Sequence, residues 1–214
     1  MAMIKAIIFD LDGVILDSEP LHFEAHKRAL EIFGVNLTTE DYMSFGVATG
    51  DLNLYAKASE KYGVEIGFEE IARLKKEFYR KLIDEKGELL EGVVDILESL
   101  SQKYILAIAS SGTKNAVNFV LQKFSIEKYF NFIVSGDDVE KVKPNPDIYL
   151  RVIELLGFAK DDCVAIEDSQ SGLIAAKDAG LKCIVIPCEF TKKQDFSRAD
   201  VVLDKLSEFN PDNV

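Results

Sequence analysis

The first apolar run, Ile4 to Phe9, is too short to cross a membrane and stops at Asp10, which is how a buried parallel strand reads. After it the rhythm turns helical. Ser18 and Pro20 supply start signals and Gly34 a stop around Leu21, Phe23, Ala25, Leu30 and Phe33. Thr38, with Asp41 three residues on, resembles a capping box, and a third helix is expected from Asp51 to Tyr62, ending at Gly63. In the fourth, Phe68, Ile71, Leu74, Phe78 and Leu82 recur every three or four residues and so share one face. Residues 17–87 are therefore predicted to form an all-helical block.

From residue 88 onward strands and helices alternate. Val93 to Leu100 is expected as a helix, followed by strand Ile105 to Ala109, helix Lys114 to Phe124, strand Phe132 to Val134 and helix Pro146 to Leu156. Strand Val164 to Ile166, helix Gly172 to Ala179, strand Cys183 to Ile186 and an edge strand at Val201 to Leu203 complete the pattern. Repeated strand-helix units demand a parallel sheet with helices on both faces. The strand at Ile4 to Phe9 needs that sheet to pair with. Residues 1–16 and 88–214 thus predict one α/β core domain, with residues 17–87 inserted into it as a helical domain.

Composition narrows the function classes. The chain has 214 residues, 48% hydrophobic and 29% charged, the profile of a soluble globular protein long enough to bury a large core. Its formal net charge of −12 argues against nucleic-acid or anionic-membrane surfaces, whose binding draws on a basic footprint. Cys163, Cys183 and Cys188 form no C-x-x-C pair and read as reduced, packed thiols. No export signal or membrane span is read, so the expectation is a cytoplasmic monomer without nucleic-acid or membrane partners.

Candidate chemistry lies where the strands end. Asp10 and Asp12, Ser110 and Ser111, and Glu167 and Asp168 each follow an apolar strand at the same relative place, and in a parallel sheet those ends share one edge. Asp10 and Asp12 leave an extended chain on the same face. Two such carboxylates 4 Å apart repel by roughly 4 kcal/mol at an effective dielectric of 20, so a compensating charge is needed, most simply Mg²⁺. Each motif alone has a plainer reading: a solvated Asp-Gly turn, a Ser cap, a surface lysine at Lys143, a helix cap at Glu167-Asp168. Their convergence on one edge favours a site.

Asp10-Leu11-Asp12-Gly13-Val14, Ser110, Lys143-Pro144-Asn145-Pro146 and Glu167-Asp168-Ser169 resemble, in order, the four motifs of the haloacid dehalogenase-like hydrolase superfamily, and the resemblance spans essentially the whole chain. The helical block is similar to the small cap of the subgroup containing β-phosphoglucomutase and sugar-phosphate phosphatases. The resemblance implies a Rossmann-like core, Asp10 as a nucleophile forming an aspartyl-phosphate, and Asp12 as general acid and then base. It further implies Ser110 and Lys143 on the phosphoryl group, with Ser111 and Lys114 beside them in substrate binding. Mg²⁺ is expected on Asp10, Glu167, Asp168 and the backbone carbonyl of Asp12.

In the cap, Ser18, His22 and Lys75 fall where β-phosphoglucomutase-like proteins carry a hinge threonine, a histidine and a lysine. The segment Phe45 to Asp51 resembles their specificity loop, but Thr49 stands where they carry an arginine that grips a second phosphate. Weaker retention of a bisphosphate favours a phosphatase over a mutase. The expected activity is a Mg²⁺-dependent phosphatase of small phosphorylated metabolites, sugar phosphates foremost. A hexose-phosphate mutase is the alternative. A receiver-like phospho-aspartate module is more remote, because such modules carry the acceptor on a middle strand and no helical insertion follows their first strand.

Overall fold

The structure, a computed structural model, describes residues 3–46 and 51–213. It divides into two compact units, one of Met1–Leu16 with Leu89–Val214 and one of Asp17–Glu88. In chain order the elements are β1 (Ala6–Phe9), α1 (Glu19–Glu31), α2 (Thr39–Gly46), α3 (Asp51–Tyr62), α4 (Phe68–Lys86) and α5 (Val93–Ser101). There follow β2 (Ile105–Ala109), α6 (Lys114–Lys123), β3 (Phe132–Val134), α7 (Asp147–Leu156), β4 (Cys163–Glu167), α8 (Gln170–Asp178), β5 (Lys182–Val185) and β6 (Val201–Val202). Among the described residues no helix is long and apolar enough to cross a membrane.

The larger unit is built on a six-stranded sheet in the order β3-β2-β1-β4-β5-β6, every pair parallel. The chain winds from β1 outward through β2 to β3, then returns to the other side of β1 for β4, β5 and β6. Strand order therefore reverses at β1 and β4, where open α/β sheets leave a crevice beyond the carboxyl ends of their strands. Alternate residues explain why the strands read as continuous apolar runs. Ala6, Ile8, Ala107, Ala109, Cys163, Ala165 and Cys183 join Tyr149 and Val152 of α7 and Leu173 and Ala176 of α8 in one core. Ile7, Phe9, Leu106, Ile108, Val164 and Ile166, of opposite parity, are equally buried, so neither face meets water.

In the smaller unit α1 packs along α4, and α2 against α3. The capping pair expected at Thr38 is half formed. The Asp41 N–H donates to Thr38 Oγ1 at 3.1 Å, while the Asp41 carboxylate accepts from Lys61 and Tyr62 of α3. The α4 stripe also differs from its expectation, for Ile71 and Leu82 are buried but Phe68 is 44% exposed. Side chains of a helix lean toward its N-terminus, so the first residue overhangs the end rather than the packed face. Likewise α8 starts two residues earlier than expected, because the Ser169 hydroxyl accepts the Gly172 N–H at 3.2 Å and caps it at Gln170.

Candidate active site

Strand register assembles the site. Phe9 is paired with both Ile108 and Ile166, so the next residues, Asp10, Ala109 and Glu167, stand side by side at the carboxyl edge of the sheet. The Asp10 N–H donates to the Ile166 carbonyl at 2.9 Å, holding the backbone one residue past the end of β1. Into this row comes Lys143, from the loop before α7. Its ammonium donates to Asp10 Oδ1 and to the Ala109 carbonyl, both at 2.8 Å, and lies 2.7 Å from Glu167 Oε1. All three ammonium protons thus have an acceptor, and the side chain is only 5% exposed.

One cation faces more carboxylate charge than it can neutralise. Burial pushes the Asp10 carboxyl up to about 8, with Lys143 opposing the rise and Glu167 and Asp12 adding to it. Burial alone would lower the Lys143 ammonium, but Asp10 and Glu167 outweigh it and raise it. Tyr149, buried inside α7, is held protonated by its burial first and by Glu167 second, and its hydroxyl donates to Glu167 Oε1. Glu167 Oε2 is buried and has no hydrogen-bond partner. Asp10, Glu167 and Asp168 each offer an oxygen within 4.8 Å of the others. Opposite ligands of an octahedral Mg²⁺ stand roughly 4.2 Å apart, so the cluster, with one orphaned oxygen, fits a hard cation.

Two glycines make room for these carboxylates. Gly13 has φ +75°, and a Cβ on it would stand 2.3 Å from Asp168 Oδ2. A Cβ on Gly172 would stand 1.9 Å from Glu167 Oε2. Helix propensity by itself favours Ala over Gly at position 172 by about 1 kcal/mol. Overpacking a filled core costs about 1–3 kcal/mol and occasionally more. The second effect is expected to win: Gly172→Ala should lower the urea midpoint and displace Glu167. A variant as stable as the wild type would show that this close approach is absent.

The remaining candidates are placed unevenly. Asp12 is half-buried, bridged to Leu16 through the turn at Gly13, and its charge acts on Asp10. Ser110 is buried, its N–H donating to the Val134 carbonyl at 3.0 Å and its Oγ accepting the Gly112 N–H at 3.1 Å. Ser111 is exposed. Lys114 is turned to an acidic loop, its ammonium 3.6 Å from Asp138 and its N–H donating to Asp137 at 2.8 Å. That ion pair is mostly exposed and stabilises little.

In the smaller unit Ser18 is buried at the start of α1, its carbonyl accepting the His22 N–H at 2.8 Å. The His22 ring stacks on Tyr79 with centroids 4.0 Å apart, and the Lys75 ammonium lies 5.3 Å from the same ring. Thr49 lies outside the described residues. Tyr149, Gly172 and Tyr79 were not singled out from the sequence. Tyr79 had a signal, since it follows Lys75 by four residues on one helix face. Tyr149 had none beyond an aromatic in an apolar helix.

Comparison with known proteins assigns the chain to a family. The haloacid dehalogenase-like hydrolase family matches residues 7–186. A phosphorylated carbohydrates phosphatase of Thermotoga maritima is 38% identical over 184 residues, covering 84% of this chain and 83% of the relative. The crystal structure of CbbY from Rhodobacter sphaeroides in complex with phosphate superimposes with a TM-score of 0.84 at 32% identity, covering 96% of both chains. A variant of the same CbbY, in complex with xylulose-(1,5)bisphosphate, gives 0.84 at 31% identity with 96% of both chains covered. Since the match runs from β1 past β5 and takes in Asp10, Ser110, Lys143, Glu167 and Asp168, this chain belongs to the haloacid dehalogenase-like hydrolases.

Proposed function

We propose that the protein is a Mg²⁺-dependent phosphatase of small phosphorylated metabolites, sugar phosphates first among them, working through a phosphorylated Asp10. The observation that carries this is the buried Asp10–Lys143–Glu167–Asp168 cluster with an unpartnered Glu167 oxygen. Asp10, Glu167, Asp168 and the Asp12 carbonyl would hold the ion. When bound, Mg²⁺ supplies the positive charge that lets a carboxylate approach an anionic phosphoryl group.

The chain's own groups account for the rest. The Asp10 carboxylate attacks phosphorus, and the ester P–O bond breaks as the Asp12 carboxyl gives its proton to the leaving oxygen. Asp12, now ionised, takes a proton from water, which attacks phosphorus and returns inorganic phosphate and free Asp10. Lys143 faces the Asp10 oxygen throughout and offsets charge that builds on the phosphoryl group. Ser110, fixed by its backbone bond to β3, lines the phosphoryl side. Sugar phosphates are the first class to test because the similar Thermotoga protein is a phosphatase of phosphorylated carbohydrates and a CbbY variant forms a complex with xylulose-(1,5)bisphosphate. The test is phosphate release from sugar phosphates, nucleotides and p-nitrophenyl phosphate, with Mg²⁺ and with EDTA. Release that persists in EDTA would contradict the reading. Conversion of β-glucose 1-phosphate to glucose 6-phosphate in place of hydrolysis would assign a mutase.

The raised Asp10 carboxyl gives a pH prediction. Without metal the folded protein keeps that proton up to about pH 8, whereas the unfolded chain releases it near 3.8. The folded state binds more protons across this window, so the stability Asp10 contributes is complete below pH 3.8 and is lost as pH rises to about 8. To join Mg²⁺, Asp10 must give up the proton. Mg²⁺ affinity should therefore climb between pH 6 and 8 and level off above, with proton release visible by calorimetry in buffers of different ionisation enthalpy. A flat affinity over that range would refute it.

A further inference from the structure

We propose that Tyr149 is a positioning residue for the cation site: its buried hydroxyl, donating to Glu167 Oε1, leaves Oε2 as the oxygen that this carboxylate presents to a divalent ion. This rests on reading the cluster as a Mg²⁺ site. Glu167 is the most enclosed of the three carboxylates, with 0% exposure against 8% for Asp10 and 4% for Asp168. Its two oxygens have unequal surroundings. The Lys143 ammonium and the Tyr149 hydroxyl both meet Oε1, and Oε2 is left bare. A buried carboxylate with only structural duties is stabilised by sharing its donors between both oxygens, since each unsatisfied acceptor carries a desolvation cost. Crowding the donors on one oxygen suits a carboxylate that gives its other oxygen to a metal, with the partner on the far side setting its orientation.

Lys143 alone cannot set that orientation. Its ammonium is shared with Asp10 and the Ala109 carbonyl, and it ends a flexible four-carbon stem. Tyr149 is rigid by comparison, fully buried on α7 among Val152, Leu173 and Cys183. The backbone of Gly172 closes on the whole group, where a Cβ would fall on the carboxylate carbon and both its oxygens. The carboxylate thus sits against a wall, with a hydroxyl on Oε1.

Tyr149→Phe isolates the hydroxyl, because the ring that lies 5.2 Å from the Lys143 ammonium stays in place. The experiment is calorimetric titration of Mg²⁺ alone into the full chain, wild type and variant, at one pH. The variant's Kd is expected to rise about 10-fold or more. Should the variant fold too weakly for calorimetry, the melting-temperature shift caused by Mg²⁺ is compared with that of Val152→Ala, a core change on the same helix. A smaller shift in Tyr149→Phe supports the proposal, and an equal one overturns it. An unchanged Kd, with the wild type binding Mg²⁺, overturns the role of Tyr149 alone. A wild type that takes up no Mg²⁺ overturns the metal reading together with it.

Discussion

Replacing Asp10 by Asn is expected to lower phosphate release by on the order of 10⁴-fold or more, the scale seen when a covalent nucleophile is removed. The amide keeps the size of the side chain, and its oxygen can still accept from Lys143, so geometry is preserved while nucleophilicity is lost. The same substitution should stabilise the protein. Asp10 is one of several carboxylates around a single ammonium, and its ionised form is disfavoured by burial. Removing the charge should raise the metal-free melting temperature at pH 8, where wild-type Asp10 has begun to ionise. It should change little near pH 4, where Asp10 in the folded wild type is still protonated. An Asn variant that retains turnover would dismiss Asp10 as the nucleophile. One that is inactive but less stable at pH 8 would show instead that Asp10 is chiefly a structural partner of Lys143.

Lys143→Met is expected to be the most destabilising single change in the site. It keeps an unbranched side chain but removes the one ammonium bonded to Asp10, Glu167 and the Ala109 carbonyl. Breaking a buried ion pair by deleting one partner costs about 3–5 kcal/mol, because the remaining charge is left uncompensated. For a chain of this length that is roughly 6–20 °C in Tm. Added Mg²⁺ should recover part of the loss by replacing the missing charge. On the proposed role of Lys143 in offsetting phosphoryl charge, activity should fall about 10²–10³-fold even in Mg²⁺. A Met variant as stable as wild type from pH 5 to 8 would mean the ion pairs contribute nothing net.

The difference between these two substitutions shows what kind of information each residue carries. Asp10 announces itself locally: an apolar run that cannot continue, a carboxylate at its end, a second carboxylate two residues on and a glycine. Lys143 is written in the sequence only as a lysine before a proline. It acquires meaning from the row into which it reaches, 133 residues from Asp10. The alternation of strand and helix, the helical block and the strand ends that carry carboxylates and serines all arise from interactions within a few residues. Patterning at that range survives in a linear string.

Other contacts depend on through-space neighbours. The order of apolar and polar positions prescribes a parallel α/β core with a helical insertion and a polar edge holding Asp10, Ser110, Glu167 and Asp168. It did not determine that Tyr149, an aromatic on an apolar helix face, would aim its hydroxyl at Glu167 18 positions on. Nor did it determine that Gly172 matters because Glu167 Oε2 occupies the space of its missing Cβ. Nor did it determine that Lys114, one turn beyond Ser110 and Ser111, would lie beside Asp138. The physical reason is common to all three. A side chain's helix or strand setting depends on its neighbours in the chain, whereas its partner depends on the sheet register and on which face each helix turns to the core.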